Sequence, residues 1–232
     1  MSQEQVNHIA FIPDGNRRWA KKHGLDVLRG HERGIDRMGD VLKWCRDAGI
    51  KTVSFWAFST ENFNRDKEEV EGLFVAFEVR LAKIMKEAEF ERHQVRVRFV
   101  GERERFPKKI QMGMKKIEDD TKKYDKYFLN MFIGYGGRPE LVDAAKKLAK
   151  DFASNPQKIT EAEFEKRLWS AGVPDPELIV RTSGEMRLSG FLPFQSTYSE
   201  LYFCQKLWPE FEQADFESAL QEFSNRKRRW GK

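Results

Sequence analysis

The sequence predicts a single α/β domain on a six-stranded, mainly parallel sheet surrounded by helices. Three observations predict it. Short apolar runs alternate with helix-like segments along all 232 residues. No internal repeat, low-complexity stretch or Pro/Gly-rich linker divides them. Polar, glycine-rich segments fall just after the apolar runs. Strands alternating with helices give a parallel sheet covered on both faces. The length favours one domain, 1–232, and lets the chain bury roughly 70–75% of its unfolded surface.

The first strand, 7–12, is the short run His8-Ile-Ala-Phe-Ile12, which stops at Asp14-Gly-Asn16, a turn signal. A helix-forming segment with Arg17, Arg18 and Trp19 follows. Ile35, Met38, Val41, Leu42 and Cys45 recur at helical spacing and predict a helix over 31–48. Val53-Ser-Phe-Trp-Ala-Phe58 reads as a strand over 51–58. Helix 67–92 carries an apolar stripe of Val70, Leu73, Phe74, Phe77, Leu81, Ile84 and Met85, about six turns long. That stripe packs as core against the sheet or lines a long apolar tunnel, for which Phe and Met suit a flexible hydrocarbon. Val95-Arg-Val-Arg-Phe-Val100 alternates as a strand over 94–100, and Ile110, Met114 and Ile117 mark a helix over 107–123. Strand 127–133 is nearly all apolar, and helix 138–153 repeats Leu141, Ala144 and Leu148. Helix 160–170, strands 177–181 and 200–204, and helix 213–228 complete the order.

Composition excludes several classes. No apolar run approaches the ~20 residues that span a bilayer. Met-Ser-Gln-Glu-Gln carries no basic or apolar signal segment, so a cytoplasmic location is expected. Cys45 and Cys204 lack metal-ligand spacing, which fits a reducing compartment. A net charge of +5, from 42 basic and 37 acidic residues, favours anionic partners. Nucleic acid is not expected among them: the basic tail Asn225–Lys232 interleaves one aromatic, Trp230, and no nucleic-acid motif appears.

In a parallel sheet the ligand site lies beyond the carboxyl ends of the strands. Asp14-Gly-Asn, Ser59-Thr-Glu-Asn62, Gly101-Glu-Arg, Gly134-Tyr-Gly-Gly-Arg138 and Arg181-Thr-Ser-Gly-Glu185 all fall there. A strand-to-helix turn offers free N–H groups to a phosphate, and here Asp14, Arg17 and Arg18 would join it. Capping explains residues 64–69 but leaves Ser59, Glu61 and Asn62 as functional candidates. Arg181 and Arg187, six apart in a Ser/Gly-rich loop, suit a multiply charged oxyanion. Glu200, at the mouth of a buried strand, needs a cationic partner or a metal. Asp14 with Glu200 would suit Mg²⁺, which binds one or two carboxylates plus substrate phosphates. Of the histidines, His31 alone is a candidate phosphate donor.

Taken in order, these segments resemble the cis-prenyltransferases, the undecaprenyl and dehydrodolichyl diphosphate synthase family, from about His8 to Gly231. Asp14-Gly-Asn-Arg-Arg-Trp-Ala, Phe58-Ser-Thr-Glu-Asn, Tyr135-Gly-Gly-Arg, Arg181-Thr-Ser-Gly-Glu, Arg187-Leu-Ser and Glu200-Leu-Tyr-Phe carry the resemblance. It implies repeated, Mg²⁺-dependent condensation of isopentenyl diphosphate onto an allylic primer, farnesyl or geranylgeranyl diphosphate. Each new double bond would be cis, and the product a long-chain polyprenyl diphosphate. Asp14 would be catalytic and bind the metal with Glu200, and Asn62 would accept the proton. Gly15, Asn16, Arg17, Arg18, Trp19 and His31 would hold the allylic diphosphate. Ser59, Thr60, Glu61, Phe63 and Arg65 would contact substrate. Arg181, Arg187, Leu188 and Ser189 would hold isopentenyl diphosphate. A homodimer is implied, with Arg229 and Gly231 of the segment from about 225 to 232 reaching the partner's site, and with transient contact at a membrane surface. A non-catalytic or co-catalytic subunit is the alternative. The chain departs from the family pattern at Pro13, Val27 and Met186.

Overall fold

The computed structural model describes residues 5–86 and 89–226. Six strands form one sheet: β1 (His8–Ile12), β2 (Thr52–Ser59), β3 (Val95–Val100), β4 (Tyr127–Tyr135), β5 (Leu178–Arg181) and β6 (Glu200–Phe203). Their order is β3-β4-β2-β1-β5-β6, and every pairing is parallel. The predicted strands match to within two residues at each end. β1 stands where the order turns, with β2 on one side and β5 on the other. That switch point is where a doubly wound sheet opens a crevice.

The helices are α1 (Asn16–Lys22), α2 (Val27–Asp47), α3 (Lys67–Lys86), α4 (Glu89–His93), α5 (Lys108–Thr121), α6 (Gly137–Asp151), α7 (Glu161–Glu165) and α8 (Gln213–Asn225). α2 begins four residues before the predicted helix because the Asp26 carboxylate caps it, accepting from the Leu28 N–H. The predicted helix 67–92 is α3 followed by α4; residues 87–88 and the Met85 side chain lie outside the described part. α7 covers only the first half of its predicted span.

One face of the sheet packs against α2, α3, α5 and α8 through a core that includes Phe11, Phe55, Trp208 and Phe211. The other face carries Phe132, Tyr135 and Phe191. β2 changes register against β4 on either side of Phe58. This irregularity turns Phe58 to the same side as Phe55, where it meets Phe63, Phe74, Phe77 and Phe106.

Between the sheet, α2 and α3 lies a cavity of about 590 Å³. Val53, Phe55 and Ala57 of β2 line one wall, and Leu73, Phe77, Leu81 and Ile84 of α3 the other. Within the α3 stripe, Phe74 packs in the aromatic cluster, while Leu73, Phe77, Leu81 and Ile84 line the cavity.

Candidate active site

Asp14 stands just beyond β1, at the switch point. Its backbone is fixed by Thr182, whose hydroxyl accepts from the Asp14 N–H (3.0 Å) and donates to the Asp14 carbonyl (2.7 Å). The Trp208 N–H also donates to that carbonyl, at 3.0 Å. The carboxylate is 29% exposed. Oδ2 accepts from Arg181 at 2.8 Å and Oδ1 from Arg18 at 3.2 Å. Burial pushes the Asp14 pKa up, but hydrogen bonds from Arg181 and Ser183 and the charges of Arg181 and Arg18 outweigh it. The net result is a carboxyl held below its usual range.

Two cationic groups meet at this aspartate. On one side, Gly15 takes φ 113° and turns the chain into α1. A Cβ there would lie 2.9 Å from Leu207 Cδ2, so both the dihedral and the space call for glycine. The first turn of α1 leaves N–H groups without helical acceptors and carries Arg17 and Arg18. α1 sits close on α2 at Gly30 and Gly34, where a Cβ would lie 2.3 Å from the Asn16 carbonyl oxygen and 2.4 Å from Asn16 Oδ1 respectively. That Oδ1 is buried and has no hydrogen-bond partner. Trp19 stacks on His23.

On the other side, the Arg181 side chain is only 6% exposed. Besides Asp14 it donates to the Arg187 carbonyl (2.6 Å) and to Ser189 Oγ (2.8 Å). Ser183, Gly184, Ser189 and Gly190 all have positive φ, which folds this loop back on itself. Arg18 crosses to the loop, donating to Ser183 Oγ at 2.5 Å and pairing with Glu185. Glu185 also pairs with Arg187. Leu188 packs beside Trp56 and Phe191.

The segment after β2 forms a 3-10 turn over Thr60–Asn64. Asn62 Oδ1 accepts from the Ser59 N–H at 3.0 Å, so the carbonyl of the expected proton acceptor caps its own turn here. Thr60 donates to Glu61, and Arg105 stacks over Phe63 at 3.8 Å. Arg65 is drawn to Glu69 (3.0 Å), which also meets His31 (3.3 Å) and Arg17 (3.6 Å). Burial and the Arg65 charge lower the His31 pKa, against the pull of Glu69.

The structure thus brings Asp14, Arg17, Arg18, His31 and Arg65 to one place, with Arg181, Arg187 and Ser189 adjoining. It does not bring Glu200 there. Glu200 is the first residue of β6, level with Leu178, whereas Asp14 lies two residues beyond the level of Arg181. The offset is about 16 Å along the strands at ~3.3 Å per residue. Its carboxylate pairs instead with Arg226 at 2.5 Å. The Asp14–Glu200 metal pair read from the sequence is therefore not assembled within one chain, and no cluster of three metal-ligating side chains occurs among the described residues. Met186 is 73% exposed, and Val27 begins α2. Arg229, Trp230 and Gly231 lie outside the described residues. Sequence reasoning missed Thr182, Ser183 and Glu69. Thr182 and Ser183 lie inside the motif Arg181-Thr-Ser-Gly-Glu185, and Glu69 falls in the first turn of α3, where an acid has an ordinary helical use.

Comparison with known proteins points one way. The family model described as "Putative undecaprenyl diphosphate synthase" matches residues 12–231. An isoprenyl transferase of Thermus thermophilus is 45% identical over 97% of this chain and 88% of its own length. A tritrans,polycis-undecaprenyl-diphosphate synthase (geranylgeranyl-diphosphate specific) of Methanocaldococcus jannaschii is 45% identical over 97% of this chain and 82% of its own. The crystal structure of lavandulyl diphosphate synthase from Lavandula x intermedia, in complex with dimethylallyl diphosphate, superposes with a TM-score of 0.93. It is 33% identical, over 98% of this chain and 99% of that one.

Proposed function

This chain belongs to the undecaprenyl diphosphate synthase family of prenyltransferases, and from that membership we propose that it condenses isopentenyl diphosphate repeatedly onto an allylic diphosphate, forming a cis double bond each time. One observation carries the reading. Asp14 is shared by Arg18, beside Arg17, and Arg181, six residues before Arg187, and the mouth of an apolar cavity at Asn16 and His31 adjoins the first pair. Two diphosphates and a hydrocarbon tail need that arrangement.

The allylic diphosphate sits against Arg17, Arg18 and the first turn of α1, its tail in the cavity. Isopentenyl diphosphate sits on Arg181, Arg187 and Ser189. The allylic C1–O bond breaks, diphosphate leaves, and C4 of isopentenyl diphosphate bonds to C1. A proton then leaves C2 as the new double bond forms. The fixed guanidinium groups stabilise the departing charge without reorganising, and the apolar walls keep water from the cation. Asn62 Oδ1 already accepts from the Ser59 N–H, so the departing diphosphate joins it as a candidate acceptor for that proton. Mg²⁺ fits Asp14, an ionised and part-exposed carboxylate between both diphosphate positions. When bound, it supplies neutralising charge for the leaving group.

The proposed primer is farnesyl or geranylgeranyl diphosphate, and the proposed assembly a cytoplasmic homodimer touching the membrane surface transiently. No helix among the described residues is long and apolar enough to cross a membrane. The test is purified protein with either primer, radiolabelled isopentenyl diphosphate and Mg²⁺. A butanol-extractable polyprenyl product is expected, and its absence with every primer would overturn the reading. Product only after a second protein is added would make the chain a subunit of a heteromeric enzyme.

A further inference from the structure

The cavity has two ends of different chemistry. Asn16 and His31 meet it at the carboxyl edge of the sheet. Its other end is at the amino edge, where Lys51 precedes β2 and where Val95 and Tyr127 begin β3 and β4. Lys43, Arg46, Lys51 and Arg92 rim that end. Beside it Lys123 lies over Tyr124 at 5.1 Å and Lys126 over Tyr127 at 5.5 Å. Acidic groups answer some of these charges: Asp47 pairs with Arg46, Glu89 with Arg92 and His93, and Asp119 with Lys122. Lys43, Lys51, Lys123 and Lys126 are exposed and have no carboxylate partner among the described residues, with Glu91 and Asp125 the free acids nearby.

An apolar passage opening through lysines interleaved with tyrosines has the layering of a bilayer interface: cations and aromatic rings at the headgroups, hydrocarbon beneath. We propose that this amino-edge mouth docks on an anionic phospholipid bilayer, so that a lengthening hydrocarbon passes from the cavity into the acyl region. The passenger rests on the prenyl-transfer reading; the docking needs no substrate.

The test is flotation of substrate-free protein with vesicles of phosphatidylcholine alone and of phosphatidylcholine mixed with phosphatidylglycerol. Binding is expected to the mixed vesicles only, weakening with salt as the Debye length falls below about 10 Å. Each lysine near an anionic surface contributes about fivefold. The variant Lys43→Gln/Lys51→Gln/Lys123→Gln/Lys126→Gln, checked by its melting temperature, should therefore lose about 600-fold in affinity. Lys67→Gln/Lys108→Gln, at the opposite edge of the sheet, should lose little. Equal binding to neutral vesicles, retention by the fourfold variant, or equal loss in the control would each overturn the proposal. Polyprenyl synthesis in detergent reports the reaction alone. Synthesis without vesicle binding sinks the docking surface, and vesicle binding without synthesis sinks the reaction.

Discussion

Gly30→Ala is predicted to damage the active site without touching a reacting group. Gly30 lies buried in α2 under the first residue of α1. An added Cβ would stand 2.3 Å from the Asn16 carbonyl oxygen, where ordinary contact begins at 3.4 Å. The shortfall of about 1.1 Å falls on backbone, which cannot swing aside as a side-chain tip can. Overpacking of this kind costs about 3 kcal/mol at the upper end of its usual range. Alanine returns about 1 kcal/mol of helix propensity. The net loss of about 2 kcal/mol lowers the melting temperature by roughly 4–8 °C for a chain of this size. The larger effect is positional. α1 carries Arg17 and Arg18, and a displacement of about 1 Å in a positioning element costs on the order of 100-fold in rate. Gly39→Ala, on the same helix, is the stability control: its Cβ meets nothing nearer than Arg80 Nη2 at 3.6 Å, so it should stabilise by up to about 1 kcal/mol. Thermal melts and initial rates of prenyl transfer measure both. A Gly30→Ala protein that melts at or above wild type with unchanged kcat/KM would refute the argument.

Asp14→Ala should lower turnover at least about 100-fold with the fold intact, since it removes the carboxylate between two arginine groups. Asp14 is ionised above its depressed pKa, so the acid limb of activity lies below the ordinary carboxylate range and should move up in Arg18→Gln, measured as kcat/KM against pH. His8 is buried between Ser54 Oγ and the Pro174 carbonyl, and burial lowers its pKa to about 4. The unfolded chain takes up that proton near 6.5 and the folded chain only near 4, so stability should fall by about 3 kcal/mol as pH drops across that window and level off below it. Denaturant titrations at several pH values check this, and a flat profile would contradict it. Val53→Trp puts bulk near the amino-edge end of the cavity wall and should shorten the product seen by mass spectrometry, with early condensations little changed.

β1, β2, β4 and β5 were legible because burial on both faces writes them as largely apolar runs, β3 because it alternates, and their carboxyl ends marked the candidate site for a topological reason. Arg181 and Asp14 could be named because a buried cation and a carboxylate at strand ends have few other uses. Glu200 failed on the same logic. A carboxylate at the start of a strand needs a partner, but in a parallel sheet that start lies at the amino edge, away from Asp14, and Arg226, just past α8, supplies the partner. Asn62 has a local geometry that sequence leaves open: the residue type that suits proton acceptance also caps a 3-10 turn, and its Oδ1 accepts from the Ser59 N–H. Thr182 is invisible to pattern reading. Its role lies in two hydrogen bonds to the backbone of a residue 168 positions away.

The parallel sense of the sheet connects these features. Because all six strands run the same way, every turn that leaves a strand delivers its polar groups to one edge. Diphosphates therefore have one place to bind. β2 then divides its own length. Val53, Phe55 and Ala57 face the cavity, the register shift around Phe58 ends that alternation, and Ser59 opens the polar turn. A tail attached to a diphosphate at Asp14 has apolar wall on one side only, toward the amino edge, about 26 Å away by the length of β2 at ~3.3 Å per residue. In the proposed reaction, chain growth would add each unit at the polar end and drive the older units down this wall. Aspartate, cavity and basic mouth thus lie along one axis, fixed by strand direction before any side chain is chosen.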